Sequence, residues 1–74
     1  MNKRANLEAG IFVNVPELVE VCTRAYERSA LTRDEELNTA AQSIMSALIL
    51  NLGKRRAYIP EELREQYNLL MRKI

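Results

Sequence analysis

The side chains able to do chemistry fall into three groups: the carboxylate run Asp34-Glu35-Glu36, the cationic run Lys54-Arg55-Arg56 with Tyr58 behind it, and one thiol, Cys22. Three adjacent carboxylates could chelate a cation. Here they follow Thr32 at the start of a helical pattern, where the helix dipole favours negative charge, so capping explains them without a metal. The chain has no histidine, which removes the commonest general base and the usual structural zinc site. Its single cysteine rules out a disulfide framework within the chain, and the position of Cys22 on an apolar helix face reads as a buried, inert thiol. No glycine-rich phosphate loop occurs, and no nucleophile has a histidine partner. Catalysis is not expected, nor any metal or cofactor.

The cationic run lends itself to binding. Lys54, Arg55 and Arg56 with Tyr58 could contact a nucleotide or RNA through charge and stacking, or could simply complement the negative end of a helix finishing at Gly53. Lys3 and Arg4 could touch phosphate from residues 1–9, which have no period and read as a flexible arm. Overall, 11 cations against 10 anions leave a net charge of +1, so no global field drives the chain toward nucleic acid or anionic lipid. The longest apolar run, Ala47 to Leu50, is far short of the roughly 18 residues a membrane span needs. No signal-peptide pattern is present, and a cytoplasmic location is expected.

The elements that must position these groups are mostly helical. Thr32 and Glu35 have the spacing of a capping box, Gly53 is a candidate left-handed stop, and the stretch between predicts a helix over 33–52. Its apolar line, Leu37, Ala41, Ile44, Leu48 and Leu52, is widened by Ala40, Met45, Ala47, Ile49 and Leu50 until the second half is apolar most of the way round. A first helix over 16–30 starts at Pro16 and carries Leu18, Cys22 and Ala25 as its core line, with Glu20 and Arg24 paired i,i+4. A third helix over 60–73 places Leu63, Tyr67, Leu70 and Ile74 on one line, expected to lie against the central helix. Residues 10–15, GIFVNV, alternate like a strand. No other segment offers itself as a partner strand, so this one is expected to pair with a copy of itself or to serve as an extended lead-in.

A chain of 74 residues buries only a marginal core. With 47% apolar residues, self-association is the expected way to cover the surplus, through Ile11, Val13, Ile44, Leu48 and Leu52.

An alternating strand that runs through Asn14-Val15 into Pro16-Glu17-Leu18, then a helix, a short turn and a second helix, resembles the ribbon–helix–helix family of DNA-binding proteins. The resemblance covers roughly residues 10–52. It implies a dimer whose paired strands enter the major groove, with Ile11, Val13 and Val15 facing the shared core. Phe12 and Asn14 would face outward, and Asn14 would hydrogen-bond a base edge. That outward face of the strand has no lysine or arginine, and three acids open the second helix where the family contacts phosphate.

The fold expected is mainly α: one small helical domain with a short extended segment or strand before three helices, the long central one in an oligomer core. The function expected first is a non-enzymatic protein-interaction module acting as a homodimer or higher oligomer, of a size that would suit a phage or mobile-element accessory protein. A dimeric ribbon–helix–helix-like regulator bound to duplex DNA is the alternative.

Overall fold

A computed structural model describes residues 10–74; Lys3, Arg4 and the rest of the arm lie outside the described residues. The element order is β1 (Ile11–Asn14), α1 (Val15–Thr32), α2 (Glu35–Leu48), a 3-10 turn (Ile49–Asn51), β2 (Arg56–Ile59), a second 3-10 turn (Glu61–Leu63) and α3 (Arg64–Lys73). The described residues are mainly helical, with three helices and a two-stranded sheet.

The partner of β1 is β2 of the same chain. They run antiparallel, with Ile11 opposite Ile59, Phe12 opposite Tyr58, Val13 opposite Ala57 and Asn14 opposite Arg56. This corrects the expectation that no second strand exists. Arg-Ala-Tyr-Ile has the period of two that a half-buried strand needs, but four residues wedged between Gly53 and Pro60 are too few to stand out. Val13, Ala57 and Ile59 turn inward onto the helices, while Phe12, Asn14, Arg56 and Tyr58 turn out.

Asn14 ends β1 and starts α1. Its extended backbone is that of an N-cap, and its Oδ1 accepts from the Glu17 N–H at 2.8 Å, with Pro16 in the first turn. Ile59-Pro60 repeats the strand-to-helix passage without a capping side chain, and the chain there passes through a 3-10 turn before α3 begins. The similar sequences Val15-Pro16-Glu17-Leu18 and Ile59-Pro60-Glu61-Glu62-Leu63 therefore mark the same structural step.

Between α1 and α2 the capping differs from the expectation. Thr32 belongs to α1, its hydroxyl donating to the Arg28 carbonyl at 2.9 Å. Arg33 takes the left-handed conformation (φ 57°), and Asp34 is the N-cap of α2, accepting from Leu37 N–H at 3.1 Å. Aspartate caps at least as well as threonine, and choosing Asp34 extends α1 by a half turn. At its other end α2 stops at Leu48 and tightens into the 3-10 turn, with Lys54 N–H bonded to the Asn51 carbonyl at 2.9 Å. Gly53 is not left-handed and so is not the stop that the sequence offered.

The core follows from these placements. α2 packs against both α1 and α3, and the inner face of the ribbon adds Val13, Ala57 and Ile59. Leu37, Ala40, Ala41, Ile44 and Leu48 of α2 are fully buried beside Leu18, Cys22 and Ala25 of α1 and Leu70 of α3. Ile44 and Leu48, expected to be covered by a second copy, are already without exposed surface in the single chain. Val13 is likewise buried, Ile11 is half-buried against the core, and Leu52 is exposed. Of the third helix's line, Leu70 alone is fully buried; Leu63 and Tyr67 are half-buried and Ile74 is at the surface.

Candidate nucleic-acid interface

Two groups that are far apart in sequence meet on the outward face of the ribbon. Antiparallel pairing puts Arg56 directly across from Asn14 and Tyr58 directly across from Phe12. The Phe12 and Tyr58 ring centroids are 5.2 Å apart with planes inclined at 60°, and the Arg56 guanidinium lies over the Phe12 ring, 5.8 Å from its centroid. That distance and placement fit a cation–π contact. Phe12 is nonetheless 65% exposed and Tyr58 43%. Lys54 and Arg55, both exposed, immediately precede Arg56 in the chain.

The ribbon's backbone fixes which way its groups point. Val15 N–H bonds to the Arg55 carbonyl at 2.8 Å, so Val15–Arg55, and in phase with it Val13–Ala57 and Ile11–Ile59, are the hydrogen-bonded pairs. Phe12 and Tyr58 form a non-hydrogen-bonded pair, in which facing side chains come closest. Gly10 completes the arrangement at the ribbon's end. A Cβ there would collide with the Tyr58 phenol and come within 2.8 Å of the Ile59 carbonyl, so glycine allows the Tyr58 ring to lie across the start of β1.

Asn14 is exposed, and its Oδ1 caps α1. Phe12 is exposed too. Their pairing with Arg56 and Tyr58 shows in the sequence only through the alternation Arg56-Ala57-Tyr58-Ile59, which matches Ile11 to Asn14 in length.

The acidic run lies elsewhere. Asp34 caps α2 and accepts a hydrogen bond from Lys73 Nζ at 2.7 Å, and Glu36 is 3.4 Å from the same ammonium. The Lys73 hydrogen bond, helped by the Leu37 N–H, holds the Asp34 carboxyl below its usual range, and Asp34 in turn raises the Lys73 ammonium. Among the described residues no cluster of carboxylates and thiols is arranged to hold a metal ion. Burial pushes the Cys22 thiol up to about 11, so the fraction in the reactive thiolate form near neutrality is minute. No helix of the described residues is long and apolar enough to cross a membrane.

A second surface feature sits where α2 ends. Ile49, Leu50 and Leu52 are exposed at 53%, 88% and 52%. These are the residues that made the end of the central helix apolar all round, and only one side of it is covered.

Comparison with protein-family models, with curated proteins and with solved structures found no match for the chain.

Proposed function

We propose that this chain is a non-catalytic module that binds nucleic acid on the outward face of its ribbon. The observation that carries the reading is the meeting of Phe12, Tyr58, Arg56 and Asn14 on one exposed surface, with the exposed Lys54 and Arg55 next in sequence to Arg56. The net charge of +1 weighs against DNA binding and stands unchanged, but two local objections do not. One was the lack of a cation on the strand's outer face; Arg56 from β2 supplies one. The other was the run of acids at the start of α2. Those acids lie at the far end of α1, a helix of 18 residues and hence about 27 Å long. That is roughly three screening lengths in physiological salt, too far to repel a strand on the ribbon.

Fluorescence anisotropy with labelled oligonucleotides, both duplex and single-stranded, tests the reading. Binding should weaken as salt rises. Replacing Lys54 and Arg55 together by alanine should reduce the slope of log affinity on log salt by about 1.4 for a single strand, or about 1.8 for a duplex. Absence of binding to either form at low salt would refute the proposal.

A protein-interaction module that self-associates is the second reading, and the exposed Ile49, Leu50 and Leu52 favour it. It is compatible with the first, because these residues belong to the turn after α2 and not to the ribbon's outward face.

A further inference from the structure

Resting on the nucleic-acid reading above, we infer that the ligand is an unpaired strand whose bases stack on Phe12 and Tyr58, and not a duplex read through its groove. Groove reading needs side chains that present donors and acceptors to base edges. The ribbon has four outward positions, Phe12, Asn14, Arg56 and Tyr58. Phe12 has no polar atom. Asn14 could make the two-point contact with adenine only by sharing or giving up the Oδ1 that accepts from the Glu17 N–H at 2.8 Å. Arg56 rests over the Phe12 ring. Tyr58 offers one hydroxyl, which lies against Gly10, and one hydroxyl is a poor reader.

Stacking makes the opposite demand, and the ribbon meets it. A base needs an exposed ring face and a nearby cation for its phosphate. The 60° inclination between the rings means that they do not cover each other face to face, and both are substantially exposed. Two strands of four residues are about 13 Å long, room for about two splayed bases, one to each ring. Charge is uneven along β2. Lys54, Arg55 and Arg56 stand at one end, whereas Glu61 and Glu62 follow Pro60 at the other, so the backbone is held most strongly where its phosphates pass the cationic end. Glu17, on the first turn of α1 beside Asn14, limits the strand on that side.

The test compares labelled oligo-dT and oligo-U of about ten nucleotides with a duplex of equal length. Either single strand should bind more tightly than the duplex, and the two single strands separate DNA from RNA as the source. Phe12→Leu keeps an apolar side chain on the strand and removes the ring; it should weaken single-strand binding about tenfold while leaving the helical circular dichroism unchanged. In the unmodified protein, ring-proton resonances of Phe12 and Tyr58 should shift as oligo-dT or oligo-U is titrated in, a measurement that does not depend on any variant folding. Unmoved ring resonances during binding, or wild-type affinity in Phe12→Leu, would overturn the stacking inference. Tighter binding of the duplex would also overturn it and leave the broader nucleic-acid reading standing, whereas no binding of any probe would overturn both.

Discussion

Lys73 Nζ donates to Asp34 Oδ2 at 2.7 Å across 39 positions of sequence, tying the end of α3 to the turn between α1 and α2. Asp34 is thereby used twice, since its other oxygen caps α2 through the Leu37 N–H. Glu36 adds a second carboxylate 3.4 Å from the same ammonium. Both ends of the contact are open to water, so it orients α3 more than it stabilises it.

The pH dependence of that contact has a definite sign. Asp34 titrates below the usual aspartate range in the folded chain, chiefly through its hydrogen bond from Lys73. Its contribution is therefore complete above the ordinary aspartate pKa and lost as the pH falls through the lowered folded value. Lys73 is raised, so its part is complete below the ordinary lysine pKa and lost as the pH rises through the raised value. Asp34→Asn keeps a capping oxygen and removes the charge. Its melting temperature should lie below that of the parent at neutral pH, and the gap should close in acid once Asp34 is protonated. A gap that persisted unchanged in acid would mean that the charge is not the cause.

Leu70 is the one residue of α3 with no exposed surface. Its truncation to alanine should cost about 2–5 kcal/mol, the range for a leucine removed from a closed core. That is a large share of the stability of so small a domain. Urea denaturation gives the answer directly, and a cost below that of an ordinary surface substitution would show that α3 does not pack as described. Met71, on the same helix but 40% exposed, should tolerate the same truncation far better.

The helices were legible because their apolar lines repeat over enough turns to leave no other reading. Leu18, Cys22 and Ala25 form one such line, all buried; of the other, Leu37, Ala41, Ile44 and Leu48 are buried and Leu52, beyond the end of the helix, is exposed. Three things were not legible, each for a local reason. Thr32 and Asp34 are both competent caps two residues apart, and a sequence does not say which the turn selects. Gly53 looks like a helix stop, but the helix had already tightened to 3-10 geometry before reaching it. The strand Arg56–Ile59 has only its alternation to show, and without it β1 seemed to require a second chain. That last omission separated Arg56 and Tyr58 from Phe12 and Asn14, so the candidate site was seen in two halves.

Asn14 joins the ribbon's outward face to the stability of α1, which changes what its substitution reports. Asn14→Ala removes an N-cap and should cost about 1 kcal/mol of stability, within a usual range of about 0.5–2. Any loss of binding in that variant would be confounded with fraying of the first turn. Asn14→Asp retains a capping oxygen and adds negative charge beside Arg56. It should melt close to the parent and bind nucleic acid more weakly. If Asn14→Asp binds as well as the parent, phosphate does not approach this corner of the ribbon.

The apolar end of α2 allows burial and self-association to be separated within three residues. Leu48 has no exposed surface within the single chain, and Leu50 is 88% exposed. A carboxylate at position 48 would be placed in the core without a partner, so Leu48→Asp should unfold the chain outright. At position 50 the same change meets water, and Leu50→Asp should leave the fold and its melting temperature nearly unchanged. What Leu50→Asp should alter is the state of assembly: if Ile49, Leu50 and Leu52 form a contact between copies, sedimentation velocity at micromolar concentration should show the parent as an oligomer and the variant as a monomer. Parent and variant sedimenting alike as monomers would remove the self-association reading and leave the ribbon face as the chain's working surface. Oligomers in both would place the contact elsewhere, and the open edge of β1, where the Phe12 N–H and carbonyl point away from β2, is the next position to test by proline substitution of Phe12.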